Sequence, residues 1–201
     1  MPASDLDVPF PVLAVAAWSG TGKTTLLEQL LPLLRRRGLN VGVIKHAHHA
    51  FDVDKPGKDS YRLRSAGAAP MLVASRERFA LMQETPGQTE PDLANLLGMM
   101  ALHAPDLVIV EGFKAWPLPK LVLYRDGVGD PAIFQDPWVR AVAVKAEEAQ
   151  ALEAHQVAFD SATPGFSRLD LDDTDAIAHW IARWAEQWQG ADAGLPLTHN
   201  A

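Results

Sequence analysis

Apolar and polar positions along the chain fall into two rhythms, continuous short runs and helical repeats, and these alternate. Residues 12–16 are unbroken apolar, a glycine-bearing polar stretch follows, and Leu26, Leu27, Leu30 and Leu31 then recur at helical spacing. This predicts strand, loop and helix, the helix running over about 23–37 and ending at Gly38, with a kink expected at Pro32. A β-branched strand over 41–44 completes a strand–helix–strand unit, expected to be parallel with a right-handed crossover. Further along, the pattern predicts a helix over 58–66, strands over 71–74 and 78–82, and a helix over 91–103 with Leu93, Leu96, Leu97 and Met100 on one face. The run 106–112 reads as the most buried strand, apolar until it ends in Glu111 and Gly112. Strands follow over 120–125 and 139–144. A helix over 176–188 carries Ile177, Trp180, Ile181, Trp184 and Trp188 on one stripe, which reads as core or interface anchors. The alternation of strands and helices gives one α/β domain over 1–189 with a mostly parallel sheet, and a frayed tail over 190–201. The strand at 120–125, followed by Asp126-Gly127-Val128-Gly129, reads as half of a hairpin. Its apolar Leu121–Tyr124 is the kind of edge that a dimer would cover.

Composition narrows the field. The chain has 201 residues, enough to bury a sizeable core, and no apolar stretch of the length a membrane span needs. Residues 1–7 are polar and acidic, unlike a secretory leader, and the absence of cysteine removes disulfides, thiolate metal sites and cysteine nucleophiles. These features fit a cytoplasmic protein. A formal net charge of −7 argues against broad nucleic-acid binding, so an anionic ligand needs a local basic site.

The stretch Ala17-Trp18-Ser19-Gly20-Thr21-Gly22-Lys23-Thr24-Thr25 supplies one. Strand before it and helix after it are the setting in which a phosphate-loop pattern carries meaning. Gly20 and Gly22 let the backbone curl so that N–H groups from Ser19 to Thr25 point at phosphate oxygens, and the helix N-terminus adds partial positive charge. Lys23 would reach the β- and γ-phosphates, and the Thr24 hydroxyl would ligate Mg²⁺. Ala17 stands where the strict pattern has glycine. The fold this implies is that of P-loop NTPases, a three-layer α/β/α sandwich.

Hydrolysis needs an acid at the end of a second buried strand, and Glu111 has that position, with Gly112 allowing close backbone approach. Asp106 begins the same strand and belongs to the opposite sheet edge. The loop 45–60 holds His46, His48 and His49 together with Asp52, Asp54 and Asp59. Its spacings match no standard metal motif, and a mobile switch in which one of the aspartates orients water or Mg²⁺ is the reading we take, with Asp59 as the chosen residue. Arg35, Arg36 and Arg37 read as a solvated helix end.

The words AWSGTGKTT at 17–25, IKHAHH at 44–49, DVDKPGKDSYRLRSAGA at 52–68, ETP at 84–86 and VEGFK at 110–114 together resemble the molybdopterin-guanine dinucleotide biosynthesis protein B family. The resemblance covers about the first 125 residues, and that family's loop also carries alanine at the position of Ala17. It implies a homodimeric GTP-binding protein with weak GTPase activity. It further implies adapter work beside the guanylyltransferase that attaches GMP to molybdopterin, with molybdopterin or apo-molybdoenzymes as further partners. Carried over by residue, the phosphate-loop role falls on Ser19 to Thr25, the strand-end acid on Glu111, and the lysine of EGFK on Lys114. The guanine-reading stretch Asn-Lys-x-Asp is absent, so preference for GTP over ATP rests on the family. Two other readings stand beside this one. One is a small-molecule kinase with an aspartate of the 45–60 loop as base; the other is a non-catalytic module that holds nucleotide or molybdopterin.

Overall fold

The computed structural model describes residues 8–47, 51–150 and 167–188. Its contacts group into two units, Met1–His46 with Leu93–Ala201, and Ala47–Asp92.

In the first unit the apolar runs become strands β1 (Val12–Ala17), β2 (Val41–Lys45), β5 (Leu107–Glu111), β6 (Lys120–Leu123), β7 (Val139–Val144) and β8 (Ser167–Asp170). They form a 6-stranded sheet in the order β2-β5-β1-β6-β7-β8. Every pairing in it is parallel. The first strand–helix–strand unit is therefore parallel as expected, but β5 lies between β1 and β2. Helix α1 (Lys23–Arg36) runs through Pro32 and ends at Arg37 and Gly38.

Alternation along the strands sorts side chains into two layers. Leu13, Val15 and Ala17 of β1 and Leu107 and Ile109 of β5 pack with Leu26, Leu27, Leu30 and Leu34 of α1. Ile177 and Ile181 of the last helix, α4 (Thr174–Gln187), join the same cluster. The intervening residues Val12, Ala14, Val108 and Val110 face the other way, against Leu93 and Leu97 of α3 (Leu93–Ala101). Helices on both faces make this the three-layer P-loop NTPase architecture, and each fully buried leucine contributes about 1.5–3 kcal/mol. Asp173 caps α4 by accepting the Ala176 N–H at 2.9 Å. Trp180 and Trp184 stack with ring centroids 6.4 Å apart, half-buried on the rim of this core.

One expectation is overturned. β6 is not half of a hairpin and not an edge: it lies between β1 and β7, parallel to both. Leu121, Val122 and Leu123 are wholly buried because both sheet faces are covered.

The second unit holds α2 (Asp59–Ser65) and an antiparallel pair, β3 (Met71–Ala74) and β4 (Phe79–Met82), which form a 2-stranded sheet of their own. Every described residue of α2, β3 and β4 is half-buried or exposed. Among the described residues, no helix is long and apolar enough to cross a membrane. The segment 190–201 and residues His48 and His49 lie outside the described residues.

Candidate functional site

The parallel register brings the chemistry to one edge. Val15 of β1 is level with Glu111 of β5, and Glu111 is level with Lys45 of β2. The chain leaving β1 thus turns beside the ends of two neighbouring strands, in the crevice where open α/β sheets bind ligands.

That turn is held by Thr21, which is buried and donates both its hydroxyl and its N–H to the Trp18 carbonyl, at 2.8 and 3.4 Å. Gly20 and Gly22 have φ of +84° and +88°, and a Cβ at either would meet nothing within 4 Å. Their requirement is conformational, not steric. Gly22 is the N-cap of α1, its carbonyl accepting the Leu26 N–H at 2.9 Å. Among the described residues no side chain caps this helix, and its first turn carries no acid. The N–H groups of the first turn are therefore left without a side-chain partner, the arrangement that suits a helix N-terminus to an anion.

Lys23 Nζ stands 3.4 Å from Glu111 Oε1, and Lys45 Nζ stands 3.3 Å from Glu111 Oε2. Glu111 is 9% exposed, so its charge is sheltered and shared between two ammonium groups. Gly112 has φ +96°, and a Cβ there would lie 2.8 Å from His46 Cβ. Here glycine is needed on both counts, because the chain after β2 crosses closely: the His46 N–H donates to the Glu111 carbonyl at 2.8 Å. The His46 ring packs on Phe113, centroids 5.0 Å apart. This interlocking ties the IKH and EGF words together physically.

Lys114 adds a third cation, its Nζ 4.8 Å from the centre of the Trp18 ring. Burial first, and the nearby charge of Lys23 second, hold its pKa below the ordinary lysine value. A phosphate oxygen placed here would favour the charged ammonium.

Of the residues expected from sequence, the structure brings together Lys23, Glu111 and the loop Ser19–Gly22, with Thr24 and Thr25 on the first turn of α1. Asp59 belongs to the other unit. It opens α2, its side chain is 95% exposed, and it lies 3.8 Å from Arg62 Nη1. Asp52 and Asp54 are bound by Arg64: Nη2 donates to Asp52 Oδ1 at 2.6 Å and to Asp54 Oδ1 at 2.9 Å, while Nη1 donates to Glu84 Oε1 at 3.0 Å. The hydrogen bonds to Asp54 first and Glu84 second raise the Arg64 pKa above its already high ordinary value, and the charges of Asp54 and Asp52 add to this. Among the described residues there is no group of three His, Asp or Glu arranged to hold a metal. Asp106 accepts the Asn40 N–H at 2.7 Å, a structural role at the far sheet edge. Arg37 does more than solvate a helix end, pairing with Asp175 of α4 at 3.0 Å.

Sequence reasoning takes the lysines of the 45–60 loop together as phosphate-facing and does not single out Lys45, which the structure places on Glu111. Its signal is the register of a parallel pair, in which the last residues of two strands stand side by side.

Residues 12–145 match the family model for molybdopterin guanine dinucleotide synthesis protein B. Over 183 residues the chain is 45% identical to the molybdopterin-guanine dinucleotide biosynthesis adapter protein of Escherichia coli K12, which covers 90% of this chain and 96% of that one. The protein of the same description from Haemophilus influenzae is 39% identical over 181 residues, covering 90% and 93%. The solved structure of Bacillus subtilis MobB superposes with a TM-score of 0.63 at 22% identity, over 89% of this chain and 100% of that one, a likeness of fold. The phosphate-loop geometry, the family model and these relatives agree, and the chain belongs to the molybdopterin guanine dinucleotide synthesis protein B family.

Proposed function

We propose that this chain binds GTP with Mg²⁺, hydrolyses it slowly, and serves as an adapter in molybdopterin-guanine dinucleotide biosynthesis beside the guanylyltransferase. The observation that carries the reading is the convergence of Lys23, on the phosphate loop, with Glu111, at the end of a buried parallel strand. The adapter role is supported by the names of the relatives.

Thr24 and Glu111 offer hard oxygen donors of the kind Mg²⁺ takes, and would hold it; Asp59 is our choice for positioning water or metal. When bound, the metal neutralises charge on the β- and γ-phosphate oxygens. Lys23 transfers its ammonium from the Glu111 carboxylate to phosphate, while Lys45 remains on Glu111 and keeps that carboxylate compensated. The N–H groups of the loop and of the first turn of α1 position the phosphates without rearrangement. Low turnover is expected until a partner completes the site. The kinase alternative loses two of its three candidate bases, because Asp52 and Asp54 pair with Arg64, and keeps Asp59.

The chain acts in the cytoplasm as a homodimer in this reading. The dimer is supported by the apolar side chains Leu72, Phe79 and Leu81 of the β3–β4 pair, which are 56%, 58% and 48% exposed. The test is GTP turnover by purified protein, alone and with a molybdopterin guanylyltransferase, measured against Lys23→Ala. Turnover above that background, rising with the partner, supports the proposal; none in either setting overturns it.

A further inference from the structure

A cleft of about 390 Å³ opens beside the phosphate loop, with Gly20, Gly22 and Thr25 in its lining. Arg125, Lys145 and Asp172 also line it, and they follow β6, β7 and β8 at the same C-terminal sheet edge. The volume is within the range of roughly 300–1,000 Å³ usual for small-molecule sites. We propose that this cleft is the base pocket of the nucleotide whose phosphates bind at 19–25, and that Asp172 is the residue that selects guanine. The inference rests on the nucleotide-binding reading above and deepens it, because the chain lacks the Asn-Lys-x-Asp stretch that reads guanine in other GTP-binding proteins.

The three acids near the end of β8 have divided roles. Asp170 Oδ1 accepts the Asp172 N–H at 3.0 Å, and Asp173 caps α4. The Leu171 N–H donates to the Val144 carbonyl at 3.0 Å, tying this loop to β7. Asp172 is among the residues lining the cleft, its 63%-exposed carboxylate 3.8 Å from Lys145 Nζ, on a backbone fixed from both sides.

Guanine presents N1–H and N2–H₂ side by side on its Watson–Crick edge, two donors for one carboxylate. Adenine presents a lone pair at N1, which a carboxylate repels, so the same group discriminates in both directions. At the other edge guanine offers O6 and N7, the acceptors that a guanidinium pairs with. Arg125 Nε is sheltered from solvent and has no hydrogen-bond acceptor among the described residues, with Glu148 Oε1 3.6 Å away. The stem of Lys145 and Leu171 supply apolar cover for the ring.

The test compares binding of GTP, ATP and xanthosine triphosphate to wild type, Asp172→Asn and Glu147→Gln by calorimetry with Mg²⁺. Xanthine carries a carbonyl at C2, so an asparagine at 172 accepts from N1–H and donates to that oxygen. Wild type should prefer GTP over ATP and xanthosine triphosphate by at least about tenfold. Asp172→Asn should lose at least about tenfold in GTP affinity and gain at least about tenfold for xanthosine triphosphate, while Glu147→Gln behaves as wild type. Wild type should also bind inosine triphosphate, which lacks N2, more weakly than GTP, a comparison that needs no variant. If GTP binds wild type but Asp172→Asn keeps the wild-type preference, the base assignment is overturned and the phosphate site stands. The same holds if Asp172→Asn loses GTP without gaining xanthosine triphosphate, or if Glu147→Gln makes the switch. If wild type binds no nucleoside triphosphate, the phosphate-site reading fails and takes the pocket with it.

Discussion

The two units both gather carboxylates around cations, but with different cations and to different ends. On the sheet unit, Glu111 is shared by the lysines at 23 and 45, at 3.4 and 3.3 Å. In the unit Ala47–Asp92, Arg64 grips Asp52, Asp54 and Glu84 through its guanidinium. A lysine is a mobile point charge whose ammonium can be handed to a phosphate; an arginine fork fixes its partners in a plane. The lysine pair is thus suited to exchange and the arginine cluster to construction. The units differ in the same sense in their packing. Every residue of β1 and β5 is buried, whereas α2, β3 and β4 have no buried residue among those described. The second unit holds an ion-pair network where the sheet unit holds a hydrophobic core.

Substitutions at each centre should separate these roles. The largest effect belongs to Lys23→Ala, which should lower GTP affinity by roughly two orders of magnitude with the fold intact, read by calorimetry and circular dichroism. Arg64→Ala should act on the other unit alone. Hydrogen exchange would speed up across 51–92 and stay slow in β1 and β5, because three carboxylates would be left facing one another. Slowed or unchanged exchange across 51–92 would mean that the arginine holds nothing together.

A smaller effect is expected at Gly112. Gly112→Ala forces a side chain into positive φ and against His46, so it should cost about 1–3 kcal/mol and lower the melting temperature by several degrees. Gly20→Ala meets no neighbour and should cost less, by strain alone. The smallest effect is that of Lys45→Met. Its side chain is 58% exposed, so GTP affinity should fall by no more than about fivefold, through the tighter hold of Glu111 on Lys23. A loss as large as that of Lys23→Ala would give Lys45 a direct part in phosphate binding.

Much of the sheet was legible because its strands are continuous apolar runs. β1 and β5 are buried along their whole length and β7 at every position but Arg140, which their mostly apolar runs satisfy. β8 escaped notice because Ser-Arg-Leu-Asp at the sheet edge is half exposed and carries no apolar run. β6 was misread for a physical reason as well: Asp126-Gly127 is turn chemistry, and a turn does not say whether the chain comes back beside the strand it left. The long-range pairing with β1 and β7 decided that. The helix 58–66 and the strands at 71–74 and 78–82 were visible in outline, but not their separation from the main sheet, since no linker marks it.

At the site, Lys23 and Glu111 could be read because each sits next to a strand end in its own segment. The binding of Asp52 and Asp54 by Arg64 could not, since it spans ten or more residues and no local pattern encodes it. Lys45 and Asp172 belong to the same class: each becomes meaningful only when the register sets the ends of separate strands side by side.

The central claim is that Lys23 exchanges the Glu111 carboxylate for a nucleotide phosphate. Calorimetric titration of GTP with Mg²⁺ into wild type and into Lys23→Ala tests it most directly. The account predicts saturable binding by wild type and its loss in the variant, whose melting temperature stays close to that of wild type. No saturable heat with wild type, or equal binding by Lys23→Ala, would contradict it.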